Sequence, residues 1–421
     1  MLFKLKNIQY NRVLILTILV FIGNLIAITT CLINSKILGL DYPYNTYLFL
    51  PSDRFMDFFN PLSVSLAPYQ QITNHWQHMP FYYTLISTLR IFPPRIAFYL
   101  VVCVFITFFV VFFLKATYRI SYWKSALCVI ILFSSYPVVF AIDRGNFEMM
   151  FFILLFTAVL LISKEQFILA TLVTSIAMSF KPFGIFLLPL FIYKKRYWEC
   201  LLIPLFTLLI SYFSIRHFPG SVALNYQHWM QNVSLYKAHY NLGVEGIING
   251  CSLWGAIKQM ILSVNYPLPL DTINGLKEIA HLYFYSAAAL TVLIIYFVVR
   301  FPSDFWKKLT LLICCMNMFP LTTADYRLLH FFIPLYFWLS QNDKNINHLW
   351  GIRFDYIYLL LFALILIPRN YYHFGGTPVT SAVYTSPLIM IIFTIVIFVD
   401  CYITNRDKWQ EPKLQLEPSA S

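Results

Sequence analysis

Charged side chains are scarce in this chain of 421 residues, since Asp, Glu, Lys and Arg together make up only 11% of it. A soluble domain carries about 25% charged residues, so the composition excludes an ordinary soluble fold. Hydrophobic residues reach 59%, and the mean hydropathy is +0.69. Many apolar runs approach the length of a membrane-spanning helix. The sequence therefore predicts an all-α polytopic membrane protein.

The sequence also lacks the usual signatures of metal and nucleotide sites. Its eight cysteines are scattered without a CxxC or CxxH spacing, which is typical of small buried hydrophobic residues. It contains no Gly-rich phosphate loop and no Asp-x-Asp pair for a nucleotide–metal complex. We therefore expect no metal and no cofactor. The net charge of +12 is interpreted as membrane topology rather than nucleic-acid binding, because Lys and Arg hold the cytoplasmic ends of spans.

The apolar runs predict about twelve transmembrane helices. Several runs are shorter than the roughly 20 residues that a full crossing needs, so some helices are expected to be broken or packed inside the bundle. The spans are predicted near residues 13–33, 96–114, 125–141, 147–162, 166–180, 183–193, 199–215, 282–299, 309–321, 327–340, 355–368 and 384–403.

Positive charge is distributed unequally between the two sides of these spans. One side holds most of the Lys and Arg in short connections, which identifies it as cytoplasmic and places both termini there. The short connections on the other side hold only Arg144, Lys181, Arg327 and Arg369.

This topology divides the chain into one membrane domain and a tail. Residues 1–409 form the membrane domain, and residues 410–421 are predicted to be a disordered cytoplasmic tail. Two long external loops, about 34–95 and 216–281, lie on the outer side. The aromatic stretch Tyr226–Tyr240, with Trp229, either stacks against acceptor sugars or forms an interfacial aromatic belt.

Arg144, Lys181 and Arg327 are exceptions to the charge rule and mark a candidate site. A charge at the bilayer centre costs about 2.5–3.5 kcal/mol, so such residues either lie at a surface or face a polar cavity. Three cations on one face predict a site for an anionic, membrane-bound substrate. The alternative is that Asp143 pairs with Arg144, and Asp325 with Arg327, as interface anchors.

The first external loop adds candidate catalytic carboxylates. Asp53 and Asp57 are four residues apart and would share one face of a helix. A carboxylate there can take the proton from an acceptor hydroxyl as general base. The alternatives are an Asp helix cap or a surface ion pair with Arg54. For a phosphate leaving group, the three cations would stabilise the developing negative charge.

Three segments resemble, in order, the motifs of a family of multispan glycosyltransferases. Ala141–Glu148 is similar to the family's Asp/Glu-Arg-Gly-Asn/Gln segment, Ser179–Gly184 to its Lys-Pro segment, and Asp325–Pro334 to its late Tyr-Arg segment. The family belongs to the GT-C superfamily and includes the polyprenol-phosphate-mannose-dependent α-mannosyltransferases. The resemblance covers roughly residues 140–340, and the acidic first loop extends it toward residue 50.

The resemblance implies a GT-C-like bundle of about 12 transmembrane helices in the bacterial inner membrane, with its active site facing the periplasm or exterior. It implies inverting transfer of a hexose, of mannose or glucose type, from a polyprenyl-phosphate-linked donor to a lipid-linked or surface glycan. The alternative function is a sugar or polysaccharide transporter, flippase or polymerase, in which the cations bind cargo. A structural subunit without chemistry leaves the outward cations unexplained.

The resemblance also assigns roles to individual residues. Asp57 is the expected base, with Asp53 as the second choice and Asp41 as a further alternative. Arg144, Lys181 and Arg327 are expected to bind the donor phosphate. The supporting residues are expected to be Asp143, Asn146, Asp325, Tyr326 and His330.

Overall fold

The computed structural model describes residues 2–73, 77–117, 121–248, 250–264, 270–341, 348–349, 352–374 and 376–410. Within these ranges the chain is mostly helical. The α-helices are α1 (Leu2–Leu32), α2 (Met56–Val64), α3 (Pro80–Leu89), α4 (Pro94–Thr117), α5 (Tyr122–Phe133), α6 (Tyr136–Arg144), α7 (Glu148–Ser163), α8 (Phe167–Phe180), α9 (Leu188–Tyr193), α10 (Tyr197–His217), α11 (Val222–Tyr236), α12 (Leu253–Val264), α13 (Leu270–Arg300), α14 (Phe305–Met318), α15 (Phe332–Ser340), α16 (Phe354–Leu366) and α17 (Ala382–Gln410).

Short elements complete the fold. Two antiparallel hairpins pair β1 (His348–Leu349) with β2 (Ile352–Arg353) and β3 (Tyr371–Phe374) with β4 (Thr377–Thr380). In the described part of the chain, four 3-10 segments span Pro51–Asp53, Pro182–Leu187, Val244–Ile247 and Asp325–Phe331, and two π turns span Ile33–Ile37 and Lys237–Leu242. The predicted tail 410–421 lies outside the described residues except for Gln410, the last residue of α17.

Each of the twelve predicted apolar runs falls on a helical segment, but twelve crossings are not confirmed. Among the described helices, five are long and apolar enough to cross a membrane, or six if the bent pair α5 and α6 forms one span. The five are Arg12–Ile37, Pro94–Thr117, Tyr197–His217, Leu276–Arg300 and Ala382–Arg406. The protein is thus a multi-pass membrane protein with several additional shorter apolar helices.

The long apolar helices surround a densely packed centre. In each candidate span, no more than half of the most apolar 18-residue stretch is buried inside the protein. The other apolar side chains face outward, where lipid can cover them. By contrast, α14 is buried at every residue from Trp306 to Met318. A hydropathy pattern does not distinguish a helix covered by protein from one covered by lipid, which explains the uncertain number of crossings.

Short connections make neighbouring helices antiparallel, so the connections gather at two ends of the bundle. We call the end formed by residues 38–73, 77–93, 145–147, 218–248, 250–252, 319–331, 367–374 and 376–381 the cavity end. Backbone hydrogen bonds join its segments, from Cys251 N to Thr323 O at 2.8 Å and from Thr380 N to Ile248 O at 2.9 Å. The opposite end is tied by ion pairs of its own, including Arg12 to Asp355 at 2.7 Å.

Three local breaks bring polar residues to the cavity end. Helices α5 and α6 meet at an angle of 56°. Helix α6 then ends at Arg144, and the left-handed φ of 63° at the following Gly145 suits a residue without Cβ. Helix α8 ends at Phe180, and the next residue, Lys181, is extended (φ −145°, ψ 133°) because Pro182 disfavours a helical residue before it.

We predict that the two ends face opposite aqueous compartments. Lys237 is exposed at the cavity end, and Lys164 is exposed at the opposite end. In intact cells, a membrane-impermeant maleimide should label only one of Lys237→Cys and Lys164→Cys. Both should react after permeabilisation, and the unaltered protein gives the background of its native cysteines. Equal labelling of both variants in intact cells would contradict this arrangement.

Candidate functional site

A cavity of about 460 Å³ opens at the cavity end. Pockets of roughly 300–1,000 Å³ are typical of small-molecule sites. Segments distant in sequence line it, and its polar and ionisable lining residues include Asp53, Asp57, His78, Tyr82, Arg144, Asn146, Lys181, Tyr236, Tyr240, Glu245 and Tyr326. The two predicted external loops and all three charged motifs therefore contribute to one space.

Asp57 is held at the cavity wall by two partners from the α6–α7 connection. Its Oδ1 accepts a hydrogen bond from Arg144 Nη2 at 2.5 Å, and its Oδ2 accepts one from Asn146 Nδ2 at 2.7 Å. The carboxylate remains partly accessible, with a side-chain exposure of 24%. Since an ionised carboxylate has about four acceptor sites, a further donor can still bind Asp57.

Asp53 and Asp57 do not share one helix, contrary to the expectation from their spacing. Asp53 ends a 3-10 turn, Phe55 is left-handed (φ 63°), and Asp57 lies in the first turn of α2. They nevertheless lie close together, because Arg144 Nη1 is 3.5 Å from Asp53 Oδ2. Gly145 permits this approach, since a Cβ there would lie 3.1 Å from the Phe55 Cα.

A fully buried carboxylate, Glu148, organises the remaining charges. Its Oε2 accepts a hydrogen bond from Lys181 Nζ. Its Oε1 lies 2.7 Å from His330 Nε2 and 3.8 Å from Arg327 Nε. Because Glu148 has no exposed surface, these partners supply the interactions that water cannot.

Of the three expected phosphate-binding cations, only two line the cavity. Arg144 and Lys181 reach it. Arg327 is buried behind it, with its guanidinium 3.4 Å from the Phe183 ring centroid and hydrogen-bonded to Thr323 Oγ1 at 3.2 Å. Arg327 Nη2 and His330 Nδ1 are buried without a hydrogen-bond partner among the described residues. Such atoms call for a water or a ligand.

The two aspartates of the charged motifs have partners other than their sequence neighbours. Asp143 accepts a hydrogen bond from Arg54 Nε at 3.0 Å. Asp325 is fully buried and accepts one from the Tyr136 hydroxyl at 2.9 Å. Arg144 and Arg327 instead face Asp57 and Glu148. The pairs Asp143–Arg144 and Asp325–Arg327, considered as interface anchors from the sequence, are thus replaced by contacts between distant segments.

Aromatic and imidazole groups complete the lining. Tyr326 lies beside Lys181, whose Nζ is 6.0 Å from the Tyr326 ring centroid. Burial, together with the nearby Lys181 ammonium, lowers the pKa of His78 to about 3, so this imidazole is neutral at neutral pH. Burial raises the pKa of Tyr236 to about 12, which keeps its hydroxyl protonated. Trp229 does not line the cavity and donates to the His78 carbonyl at 2.9 Å.

Sequence reasoning did not assign a role to Glu148. Its signal was present, because a carboxylate at the first position of the apolar run Glu148–Ser163 is as costly in a membrane as the cations that were selected. His78 and Tyr82 carried no comparable signal, since neither a histidine nor a tyrosine near an interface is unusual. Among the described residues, no group of three His, Cys, Asp or Glu is placed to hold a metal ion.

The chain is thus a membrane helical bundle with a polar, charge-lined cavity at one end. The profile of glycosyltransferase family 87 matches residues 76–323, more than half of the chain. The chain belongs to this family, and it is a membrane glycosyltransferase. The matched range contains Arg144, Asn146, Glu148 and Lys181, whereas Asp57 precedes it and Tyr326 follows it. No curated protein sequence matches the chain.

We predict that Glu148→Gln destabilises the protein by about 3–5 kcal/mol, because it leaves the buried Lys181 without its charge partner. The measurement is the free energy of unfolding of purified protein in detergent. The matched control is Glu165→Gln, since Glu165 also pairs with a lysine but has a side-chain exposure of 67%. The control should change stability by no more than about 0.5 kcal/mol. Equal effects would mean that Glu148 is not a central structural charge.

Proposed function

We propose that this chain transfers a hexose, of mannose or glucose type, from a polyprenyl-phosphate donor to a lipid-linked or surface glycan. The observation that carries the proposal is the Asp57–Arg144 pair in the wall of a cavity that Lys181 also lines. In this proposal, the base for an acceptor hydroxyl lies next to the cations for a phosphate leaving group. Transfer from a sugar phosphate needs both.

In the proposed reaction, Asp57 takes the proton of the acceptor hydroxyl as its oxygen attacks the anomeric carbon. The bond between that carbon and the phosphate oxygen breaks, and polyprenyl phosphate leaves with the electron pair. Attack from the face opposite the phosphate inverts the anomeric configuration. Asp53 is the alternative base, since its side chain is 46% exposed in the same region.

Arg144 connects the two halves of this reaction. It is bonded to Asp57, and its guanidinium also lies 4.4 Å from the Phe49 ring centroid. As Asp57 gains a proton it loses its charge, while the leaving phosphate gains charge. Arg144 can then transfer its interaction from the carboxylate to the phosphate without leaving an unpaired charge. Lys181 supplies a second, point-like charge for the phosphate.

The remaining motif residues support the two cations in this proposal. Asn146 orients Asp57, and Asp143 fixes the connection that carries Arg144 through its bond to Arg54. Arg327 and His330 act from behind the wall through Glu148, unless the donor draws their unpaired nitrogens toward its phosphate. Supporting packing comes from Asp325 and Tyr326.

A lipid-linked donor fits the setting of this cavity. The sequence has no Gly-rich loop for a nucleotide, and the cavity opens at one end of a membrane-embedded bundle. Nucleotide sugars are cytoplasmic, so a cavity on the outer face of a bacterial inner membrane requires a donor carried by lipid. Membership of a glycosyltransferase family favours this reaction over transport of a sugar.

The donor is tested directly. Purified protein supplied with polyprenyl-phosphate mannose or glucose and an acceptor should release polyprenyl phosphate without any nucleotide sugar. Product analysis by mass spectrometry measures both the lipid phosphate and the extended acceptor. Turnover that requires a nucleotide sugar and ignores the lipid donor would reject the proposal.

The base is tested by Asp57→Asn, which keeps the size of the side chain and removes its basicity. Turnover should fall by about a hundred- to ten-thousand-fold, the usual contribution of general-base catalysis, while donor binding persists. Asp53→Asn is the matched control, because it removes a neighbouring carboxylate that is 3.5 Å from the same arginine. A larger fall for Asp53→Asn would transfer the role to Asp53. Full activity of both folded variants would exclude a base in this segment.

A further inference from the structure

The cavity has a second wall whose chemistry differs from that of the cationic one. We call residues 236–248 and 250 the acceptor wall, and its lining members are Tyr236, Tyr240, Glu245, Gly246, Ile248 and Gly250. None of these described lining residues is a cation. A phosphate is repelled by the Glu245 carboxylate and attracted to Arg144 and Lys181. An uncharged molecule rich in hydroxyl groups is not repelled by Glu245 and can donate hydrogen bonds to it.

We propose that the acceptor wall is the subsite for the acceptor sugar, and that Lys258 is the positioning residue that holds its shape. This inference rests on the proposed transfer from a sugar phosphate, and it assigns the second substrate of that reaction to a place. The Tyr236 and Tyr240 rings stack with centroids 4.6 Å apart. Flat aromatic faces pack against the C–H faces of a sugar ring, and Glu245 accepts hydrogen bonds from its hydroxyls.

The Glu245 carboxylate is accessible to a sugar bound in the cavity. Its side chain is 47% exposed, and its one basic contact within 4.0 Å among the described residues is the His239 imidazole, with Nε2 at 3.9 Å from Glu245 Oε2. Its carboxylate oxygens therefore retain acceptor capacity toward the cavity. A carboxylate that binds two neighbouring hydroxyls selects polyols over molecules with a single polar group.

Lys258 lies beneath this wall on α12 and has no exposed surface. Its ammonium donates to three main-chain carbonyls, those of Tyr240 at 2.9 Å, Asn241 at 3.3 Å and Gly243 at 2.7 Å. An ammonium has three donors, and all three are used within one turn of the wall. No carboxylate of the described residues is within 4 Å of it, so its described hydrogen bonds go to the backbone it fixes.

Other contacts also hold the turn at residues 240–243 in one conformation. The Asn241 carbonyl also accepts from Trp254 Nε1 at 2.7 Å, and Asn241 Oδ1 accepts from Thr322 Oγ1 at 2.6 Å. A Cβ at Gly246 would lie 1.8 Å from the Tyr240 carbonyl oxygen and 2.8 Å from Lys258 Nζ. The wall therefore has little freedom while Lys258 is in place, and such preorganisation favours substrate binding.

The test uses full-length protein in nanodiscs, polyprenyl-phosphate mannose as donor, and octyl mannoside and octyl glucoside as probe acceptors. Glu245→Gln should raise the acceptor KM by about tenfold or more, because a charge-assisted hydrogen bond becomes a neutral one. Lys258→Met should raise the acceptor KM by a similar factor of about ten through loss of the wall's shape. In both variants kcat at saturating acceptor and the donor KM should stay within about twofold of the original values. Lys258→Arg should restore part of the loss.

The matched control is Lys308→Met. Lys308 is also a fully buried lysine that donates to main-chain carbonyls, those of Val298 and Phe301, but at the opposite end of the bundle. Its loss should reduce stability without changing the acceptor KM. If Lys258→Met does not fold, Glu245→Gln carries the test, because the half-exposed Glu245 side chain has no buried ion-pair partner among the residues that the structure describes.

The outcomes separate this inference from the proposed function. If the unaltered protein releases no polyprenyl phosphate from the donor, the proposed transfer fails, and the acceptor subsite fails with it. If transfer occurs but Glu245→Gln leaves the acceptor KM unchanged, only the acceptor subsite is overturned. A rise in donor KM instead of acceptor KM would assign the wall to the donor sugar and also overturn the inference.

Discussion

Neutralisation of a carboxylate that has no access to water is the constraint on which this site depends. Glu148 begins α7 inside the bundle and meets Lys181 from the end of α8, and Arg327 and His330 from the 3-10 segment Asp325–Phe331. These contacts join three elements at the floor of the cavity. Removing the carboxylate would leave buried cations unpaired, which is more costly than losing the pairs themselves.

The charges of the site are balanced rather than simply cationic. Arg54, Arg144 and Lys181 face Asp143, Asp57 and Glu148, respectively. An incoming anion must therefore compete with carboxylates that already hold these cations. In the proposed reaction this competition is useful, because protonation of Asp57 frees Arg144 as charge develops on the leaving phosphate. A permanently unpaired cation would bind substrate and product phosphate equally and contribute less to the transition state.

Local patterns predicted the helices better than they predicted the membrane crossings or the shape of the segment from Asp53 to Asp57. Apolar runs located the helical segments, since burial in protein and burial in lipid both require apolar side chains. For the same reason, the apolar runs do not give a reliable number of membrane crossings. Helix α14, for example, is an apolar helix enclosed by protein. In the segment from Asp53 to Asp57, spacing suggested one helix face, but the left-handed Phe55 interrupts it, and its N–H donates to the Asp143 carbonyl at 2.8 Å.

The sequence by itself determined that the chain belongs in a membrane, and it marked Arg144 and Lys181 as charges needing a polar environment, because the cost of an intramembrane charge is local. Only the tertiary structure decided which groups pair with those charges. Asp57 and Arg144 are separated by 87 residues along the chain, and Glu148 and His330 by 182. Pairing over such distances follows from how the helices pack and from where they break. Neither can be predicted from the residue types of a single segment.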